Sequence, residues 1–147
     1  MEYIVIVIAL LVLVGSISIA IPSRSSREIS NIRLEAKKMG FKITSNLYGK
    51  NKFKNKNSFS VSYQIKNLSN LKEGHFIRDK TNLILYSPIK LKFSDHYNDI
   101  KKEVDSFSDS IEEIIFTDSI ILFLWKELDG LNELKSISKT IDNLKIF

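Results

Sequence analysis

The stretch "EEIIFTDSIILFLWKE", residues 112–127, decides what kind of fold this chain adopts. Its Ile, Phe, Thr and Trp residues favour β-strands, and Asp118-Ser119 favours a tight turn. We therefore predict a β-hairpin with strands over residues 114–117 and 120–126. The alternative is one buried helix, because a short apolar run does not by itself distinguish the two. The stretch is too short, and too charged at its ends, to cross a membrane.

Three earlier stretches also have strand patterns. "FKITSNLY" alternates from Phe41, and "SFSVSYQIK" alternates apolar and polar residues along its whole length. "NLILYSPIKLKF" joins a mostly apolar run to a second alternation at Ile89, Leu91 and Phe93. Period two with β-branched and aromatic residues indicates half-buried strands. Pro88 should split the last strand or place it at a sheet edge, since proline donates no backbone hydrogen bond.

Three segments have the spacing of amphipathic helices. Ser25 and Glu28 match a capping box, so the first helix should begin near Ser26 and end before Gly40. "HYNDIKKEVDSFSDSI" and residues 131–144 carry the other two apolar stripes. Together with the strands they predict an α+β fold: a small mixed domain with an antiparallel sheet and about three amphipathic helices.

The loop "GKNKFKNKN", residues 49–57, connects the first two predicted strands. Its alternating Lys residues repel one another, and Gly and Asn favour turns, so we predict a solvated, mobile hairpin loop. Lys around the single aromatic Phe53 is also compatible with nucleic acid or acidic lipid. A nucleic-acid surface normally has Arg, more aromatics or a recognisable module, so no nucleic-acid partner is predicted.

The segment "YIVIVIALLVLVGSISIAI", residues 3–21, contains no charge. As a helix it would extend about 28 Å, close to the hydrocarbon thickness of about 30 Å. We therefore predict a transmembrane anchor over residues 1–22, ended by Pro22, and a cytoplasmic α+β domain over residues 23–147. A cleaved signal peptide is the alternative, with Ala20 at the cleavage site. The acidic Glu2 and the missing basic n-region argue against it.

Positive charge follows this segment immediately. By the positive-inside rule it predicts a single-pass protein of a bacterial inner membrane, with its N-terminus outside and its domain in the cytoplasm. The chain is mainly basic up to Lys66 and mainly acidic from Asp95 to Glu133, which suits a domain standing on anionic lipid. The predicted membrane-surface basic residues are Arg24, Arg27, Arg33, Lys37, Lys38, Lys50, Lys52, Lys54 and Lys56.

Composition and motifs argue against catalysis. The chain has 147 residues, a net charge of +5 and no Cys, so disulfides, thiolate metal sites and Cys nucleophiles are excluded. His96 lies near Asp95 and Asp99, but such spacing is common by chance and is weak for a metal site. Glu112 and Glu113 are adjacent, so on a strand they should point to opposite faces. No nucleotide-binding or hydrolase motif occurs, and we predict no enzyme, no cofactor, no metal and no small-molecule substrate.

Three short stretches resemble poorly characterised single-pass inner-membrane proteins of Gram-negative bacteria. They are "IPSRSSRE" after the apolar segment, "EAKKMGFKI" at a helix-to-strand junction, and "LFLWKE" before the last helix. Some proteins of this kind are described as YajC-like auxiliary subunits of the preprotein translocase. The resemblance implies an anchored α+β domain on the cytoplasmic face.

The sequence predicts a membrane-anchored, non-enzymatic protein-interaction module on the cytoplasmic face of the inner membrane. An accessory role in secretion or envelope machinery is one interpretation of it. Its partners would be the lipid bilayer and a protein that the sequence does not identify. The alternative is a peripheral domain that binds anionic lipid and is tethered by the single span. A hydrolase or metal protein has the least support.

Overall fold

A computed structural model describes residues 2–20, 23–44, 53–55, 60–127 and 130–146 of the chain. The helices and strands occur in groups along the chain, which is typical of an α+β fold. In chain order they are α1 (Glu2–Ala20), α2 (Arg24–Lys38), β1 (Lys42–Thr44), β2 (Val61–Lys66), β3 (Gly74–Asp79), β4 (Asn82–Ser87), a 3-10 helix (Ile89–Phe93), α3 (Tyr97–Asp105), β5 (Ile111–Phe116), β6 (Ile120–Trp125), α4 (Gly130–Asn143) and a second 3-10 helix (Leu144–Ile146).

The strands form one antiparallel sheet in the order β1-β2-β6-β5-β3-β4. The predicted hairpin is confirmed: β5 and β6 pair directly, with Ile114 opposite Phe123 and Phe116 opposite Ile121. The two strands occupy the centre of the sheet because each is apolar enough to be buried. The predicted α+β class with an antiparallel sheet is therefore correct.

Two details of the strand prediction are wrong. Strand β3 was missed, because "GHFIRD" has a Gly, a His and two charged residues among few apolar ones. The alternation at Ile89, Leu91 and Phe93 belongs to a 3-10 helix, not to a strand. Proline has no N–H for a ladder hydrogen bond, so the strand ends before Pro88. Pro88 thus splits the predicted strand, and its remaining half, β4, lies at a sheet edge.

One face of the sheet carries the main core. Helices α2, α3 and α4 place their apolar stripes on it, and the sheet contributes large side chains such as Tyr63, Phe76 and Trp125. The first of these helices begins earlier than the capping box predicts. Ser23 is its N-cap, since the Ser26 N–H donates to Ser23 Oγ at 3.2 Å. Gly40, with φ of 89°, ends it in the left-handed region.

The predicted N-terminal transmembrane helix is wrong. Helix α1 forms, but among the residues that the structure describes no helix is both long and apolar enough to cross a lipid bilayer. The same finding overturns the predicted single-pass topology and the predicted location in an inner membrane with a cytoplasmic domain.

Helix α4 is central to the core, and its removal should be costly. Leu134 is fully buried, so we expect Leu134→Ala to lower the free energy of unfolding by about 2–5 kcal/mol through lost burial and the cavity left behind. Urea unfolding followed by circular dichroism measures it. The exposed Lys135→Ala should change stability by less than about 0.5 kcal/mol. Equal effects of the two substitutions would show that α4 is peripheral.

Candidate functional site

Helix α1 exposes apolar side chains around its whole circumference. None of the described core residues belongs to it. Its large exposed side chains are at least half accessible to solvent, and they are Tyr3, Ile4, Val5, Ile6, Val7, Ile8, Leu10, Leu11, Val12, Leu13, Val14 and Ile17. A contiguous apolar surface of this extent marks an interaction site in a soluble or membrane-associated protein alike.

A hydrogen-bonded ion pair joins α2 to the end of β6. Arg33 donates from Nε and Nη2 to the two oxygens of Glu127 at 2.9 and 2.8 Å, and Tyr63 donates its hydroxyl to the same carboxylate. The Glu127 side chain is only 8% exposed. The hydrogen bond to Glu127 raises the pKa of Arg33, while burial and then Glu127 raise the pKa of Tyr63. The network keeps the Arg33 guanidinium charged and the Tyr63 hydroxyl protonated at neutral pH.

An open cleft of about 440 Å³ lies beside this ion pair, between α2 and the beginning of α4. Its lining mixes Ile29, Ile32 and Leu131 with the carboxylates of Glu28 and Glu127. Among the described residues that line it there is no histidine or lysine, and the Glu127 carboxylate is already bound by Arg33. The described lining therefore combines an apolar floor with acidic and hydroxyl groups.

A second cluster, which we call the Glu113 clasp, lies on the sheet face opposite the helices. The carboxylate of Glu113 is fully buried and accepts hydrogen bonds from the backbone N–H groups of Lys54 and Asn55, both at 2.8 Å. His75 Nε2 contacts the same carboxylate at 2.5 Å. Beside the clasp, Phe53 packs on Leu122 and Leu124.

The clasp corrects the prediction for the loop over residues 49–57. Its described part, residues 53–55, is the segment that we call the strap. The strap is docked on the sheet, with Phe53 only 8% exposed, and is not a solvated, mobile loop. A fully buried carboxylate needs donors, and two consecutive backbone N–H groups supply them. The other residues of that loop prediction lie outside the described part of the chain.

The neighbouring Glu112 has different partners. The ladder between β5 and β6 shifts register between Ile111 and Glu113. Glu112 accepts a hydrogen bond from Ser60 Oγ at 2.6 Å, and it forms an ion pair with Lys126 Nζ at 3.0 Å. The two adjacent carboxylates thus have separate partners.

The predicted basic residues that the structure describes have different surroundings. On α2, Arg24, Arg27, Lys37 and Lys38 are exposed, and Lys38 pairs with Glu35 at 2.6 Å. The Arg33 guanidinium, however, is paired with Glu127, and Lys54 places its Nζ 5.5 Å from the centre of the Tyr86 ring. Lys50, Lys52 and Lys56 lie outside the described residues. A lipid contact of these side chains stays a prediction.

Metal ligation has no geometric support in the described part of the chain. Asp95, His96 and Asp99 are exposed at the start of α3, and nowhere among the described residues do three His, Cys, Asp or Glu side chains converge. The sequence predicted neither the Arg33–Glu127 ion pair nor the Glu113 clasp. For the clasp, a signal was present in the two Glu residues inside the apolar strand "IEEIIF", since a buried carboxylate needs hydrogen-bond donors.

Fold and clusters together define a class: a six-stranded antiparallel α+β domain, covered by helices on one face and preceded by an exposed apolar helix. No protein-family model, no curated protein and no solved structure matches the chain. The resemblance to YajC-like proteins is therefore tested by none of these comparisons and stays a prediction.

The Tyr63 hydroxyl should stabilise the fold in a pH-dependent way. We expect Tyr63→Phe to cost about 1.5–3 kcal/mol at pH 7, because a hydrogen bond to a buried carboxylate is lost. The folded chain keeps the Tyr63 proton at a pH where the unfolded chain releases it. Its contribution is thus complete below about pH 10 and falls as the pH rises further.

Urea unfolding of both proteins at pH 7 and pH 10.5 measures this difference, which should shrink at the higher pH. Tyr86→Phe is the matched control, since that ring is exposed, and it should change stability at pH 7 by less than about 0.5 kcal/mol. A gap between Tyr63→Phe and the natural protein that stays constant with pH would contradict the assignment.

The Glu113 clasp should hold the strap down. Glu113→Gln removes the charge and turns an N–H₂ group toward the strap's own N–H donors, so we expect faster trypsin cleavage after Lys54. Mass spectrometry of the timed digest measures the rate at that bond. Glu73→Gln is the control, because Glu73 is exposed and its partner in the described part of the chain is Lys90. Equal cleavage rates in the two variants would mean that Phe53 alone anchors the strap.

Proposed function

We propose that the chain is a non-enzymatic protein-interaction module. In this proposal α1 is the segment that inserts among apolar helices of a partner protein, and the α+β domain is carried outside the contact. The exposure of α1 along residues 3–17 is the observation that supports it.

The free energy available from covering α1 is large. Burying one Val, Leu or Ile side chain contributes about 1.5–3 kcal/mol, so the exposed set on α1 offers on the order of 20 kcal/mol. Association costs about 4–15 kcal/mol in lost translational and rotational freedom. The balance favours a bound state of α1, whereas the α+β domain buries its own core and needs no partner for it.

The shape of the apolar surface selects the kind of partner. Successive residues of a helix are about 100° apart, so the unbroken apolar run over residues 3–8 covers every side of α1. One amphipathic partner helix buries only one stripe of such a surface. The partner should therefore present several apolar helices that surround α1.

The polar clusters support a role without catalysis. Glu113, Glu127 and Glu133 are buried carboxylates, and each accepts hydrogen bonds that connect separate segments of the domain. Carboxylates that are bound by several donors of the same domain fit a structural role. We propose that their role is to hold the domain together. The proposal includes an accessory role in secretion or in the cell envelope, which the YajC-like resemblance implies. Identification of the partner protein tests this part of the proposal.

Photo-crosslinking in cells tests the proposal. A photoreactive residue replaces Leu11 or Leu13, whose side chains point about 200° apart on α1. Both positions should give an adduct with the same partner protein, because the partner surrounds the helix. Leu34 on α2 is the matched control, since it is apolar and 54% exposed but belongs to the domain, and it should give no such adduct.

Three results would contradict the proposal. They are adducts from only one of the two α1 positions, adducts only with a second copy of this chain, and adducts only with lipid. Lipid adducts alone would favour the alternative function, the binding of an anionic lipid surface by the exposed basic residues of α2.

A further inference from the structure

The cleft between α2 and α4 has the size of a small-molecule site. Its volume of about 440 Å³ lies within the roughly 300–1,000 Å³ that ligand sites usually enclose. The floor is apolar: Ile32 is buried, whereas Ile29 and Leu131 are half-buried and keep apolar surface in contact with solvent. A ligand that covered this floor would remove apolar surface from water, which favours binding.

Helix α2 supplies one polar side of the cleft. Ser25, Glu28 and Ile32 follow one another at spacings of three and four residues, so they lie on one face of the helix. Asn31 also lines the cleft. In the described part of the chain, the exposed side chains of Ser25, Glu28 and Asn31 have no hydrogen bond or ion pair. Their oxygen atoms can therefore accept hydrogen bonds from a ligand.

The Glu127 carboxylate forms another polar side. Its Oε1 accepts hydrogen bonds from Arg33 Nε and from the Tyr63 hydroxyl, whereas Oε2 accepts one from Arg33 Nη2 among the described residues. Each carboxylate oxygen has about two acceptor positions, so one position is left at Oε2. Glu127 thus offers a single further acceptor to a ligand and not two acceptors side by side.

The described lining carries negative charge and no positive charge of its own. Arg33 compensates Glu127 through the ion pair, but Glu28 has no such partner in the described part of the chain. Arg24 and Arg27 are close along α2. Neither belongs to the described lining, and neither forms an ion pair with Glu28 there. A cation is therefore the ligand charge that complements this cleft.

We propose that the cleft binds a small primary amine with an unbranched apolar stem. The ammonium group lies at the polar side formed by Ser25 and Glu28, and the stem lies over Ile29 and Leu131. Lysine side chains are packed in proteins in the same way, with the stem on apolar surface and the charge beside water. The proposal concerns binding and involves no reaction of the amine.

The donors of an ammonium group match the separate acceptors of the cleft. An ammonium has three N–H donors that point in different directions, whereas a guanidinium binds best to two acceptors side by side. Arg33 already occupies such a pair on Glu127. A carboxylate on the ligand would be repelled by Glu28, and a neutral alcohol would gain only the apolar contact.

The binding should be weak and sensitive to salt. Glu28 is exposed, so its attraction to a cation is screened as the ionic strength rises. The contact uses no residue of α1. Its success or failure is therefore independent of the protein-interaction function proposed above.

Nuclear magnetic resonance of the full chain tests the site. The isotope-labelled protein is kept in a mild non-ionic detergent at low salt and neutral pH, and it is titrated with hexylamine. We expect saturable shifts of the backbone amide signals of Gly130 and Leu131, which line the cleft. Hexanol and hexanoate carry a similar apolar stem without the positive charge. At equal concentration they should shift these signals much less.

Two substitutions on α2 test whether the charge of Glu28 acts on the ligand. Glu28→Gln keeps the size of the side chain and should raise the dissociation constant of hexylamine by about two- to five-fold, as expected for one exposed ion pair. Glu35→Gln is the matched control, because Glu35 is on the same helix but outside the described lining. This control should leave the binding unchanged.

Shifts that require hexylamine and weaken in Glu28→Gln alone support the proposal. It is overturned if hexylamine gives no saturable shift at Gly130 and Leu131, or if hexanol binds as tightly as hexylamine. Equal affinity of Glu28→Gln and the natural chain for hexylamine overturns it as well.

Discussion

Strand β6 is apolar on both faces, and the rest of the domain is arranged to cover it. Phe123 and Trp125 face the helices, whereas Leu122 and Leu124 face the opposite side. Helices α2, α3 and α4 cover the first face with a continuous core. On the second face the strap places Phe53 over the two Leu residues. A central strand with such a sequence is stable only when both sides exclude water, which explains why the sheet has its most apolar strands in the middle.

Buried carboxylates connect the layers that this arrangement brings together. Trp125 Nε1 donates to Glu133 Oε2 and to Ser110 Oγ, both at 2.9 Å, so the sheet and α4 share one hydrogen-bonded centre. Glu127 connects α2 and β2 in the same way, and Glu113 connects the strap to β5. Burying a carboxylate is costly unless several donors bind it, and in each case the donors come from a different segment. The carboxylates thus specify how the segments dock, while the apolar core supplies most of the stability.

The aromatic residues of the core combine apolar packing with a hydrogen bond to one of these carboxylates. Tyr63 stacks on Phe123 with ring centres 5.6 Å apart and meets Trp125 edge-on at 5.3 Å. Phe41, directly after α2, packs edge-on against Phe123. The rings fill the space between β2, β6 and the helices, and the Tyr63 hydroxyl reaches the Glu127 carboxylate. Helix α1 is outside this network: the domain buries its own apolar side chains, whereas those of α1 are exposed.

Local patterns determined the secondary structure of this protein well. Strand-forming residues around Asp118-Ser119 predicted the β5–β6 hairpin. Alternation predicted β2, and apolar spacing predicted α2, α3 and α4, because each of these patterns reflects one buried face of one element. Tertiary structure decided the sheet order, the docking of the strap and the partners of Glu113 and Glu127. These depend on residues far apart in the chain, such as Lys54 and Glu113, whose pairing no local period encodes.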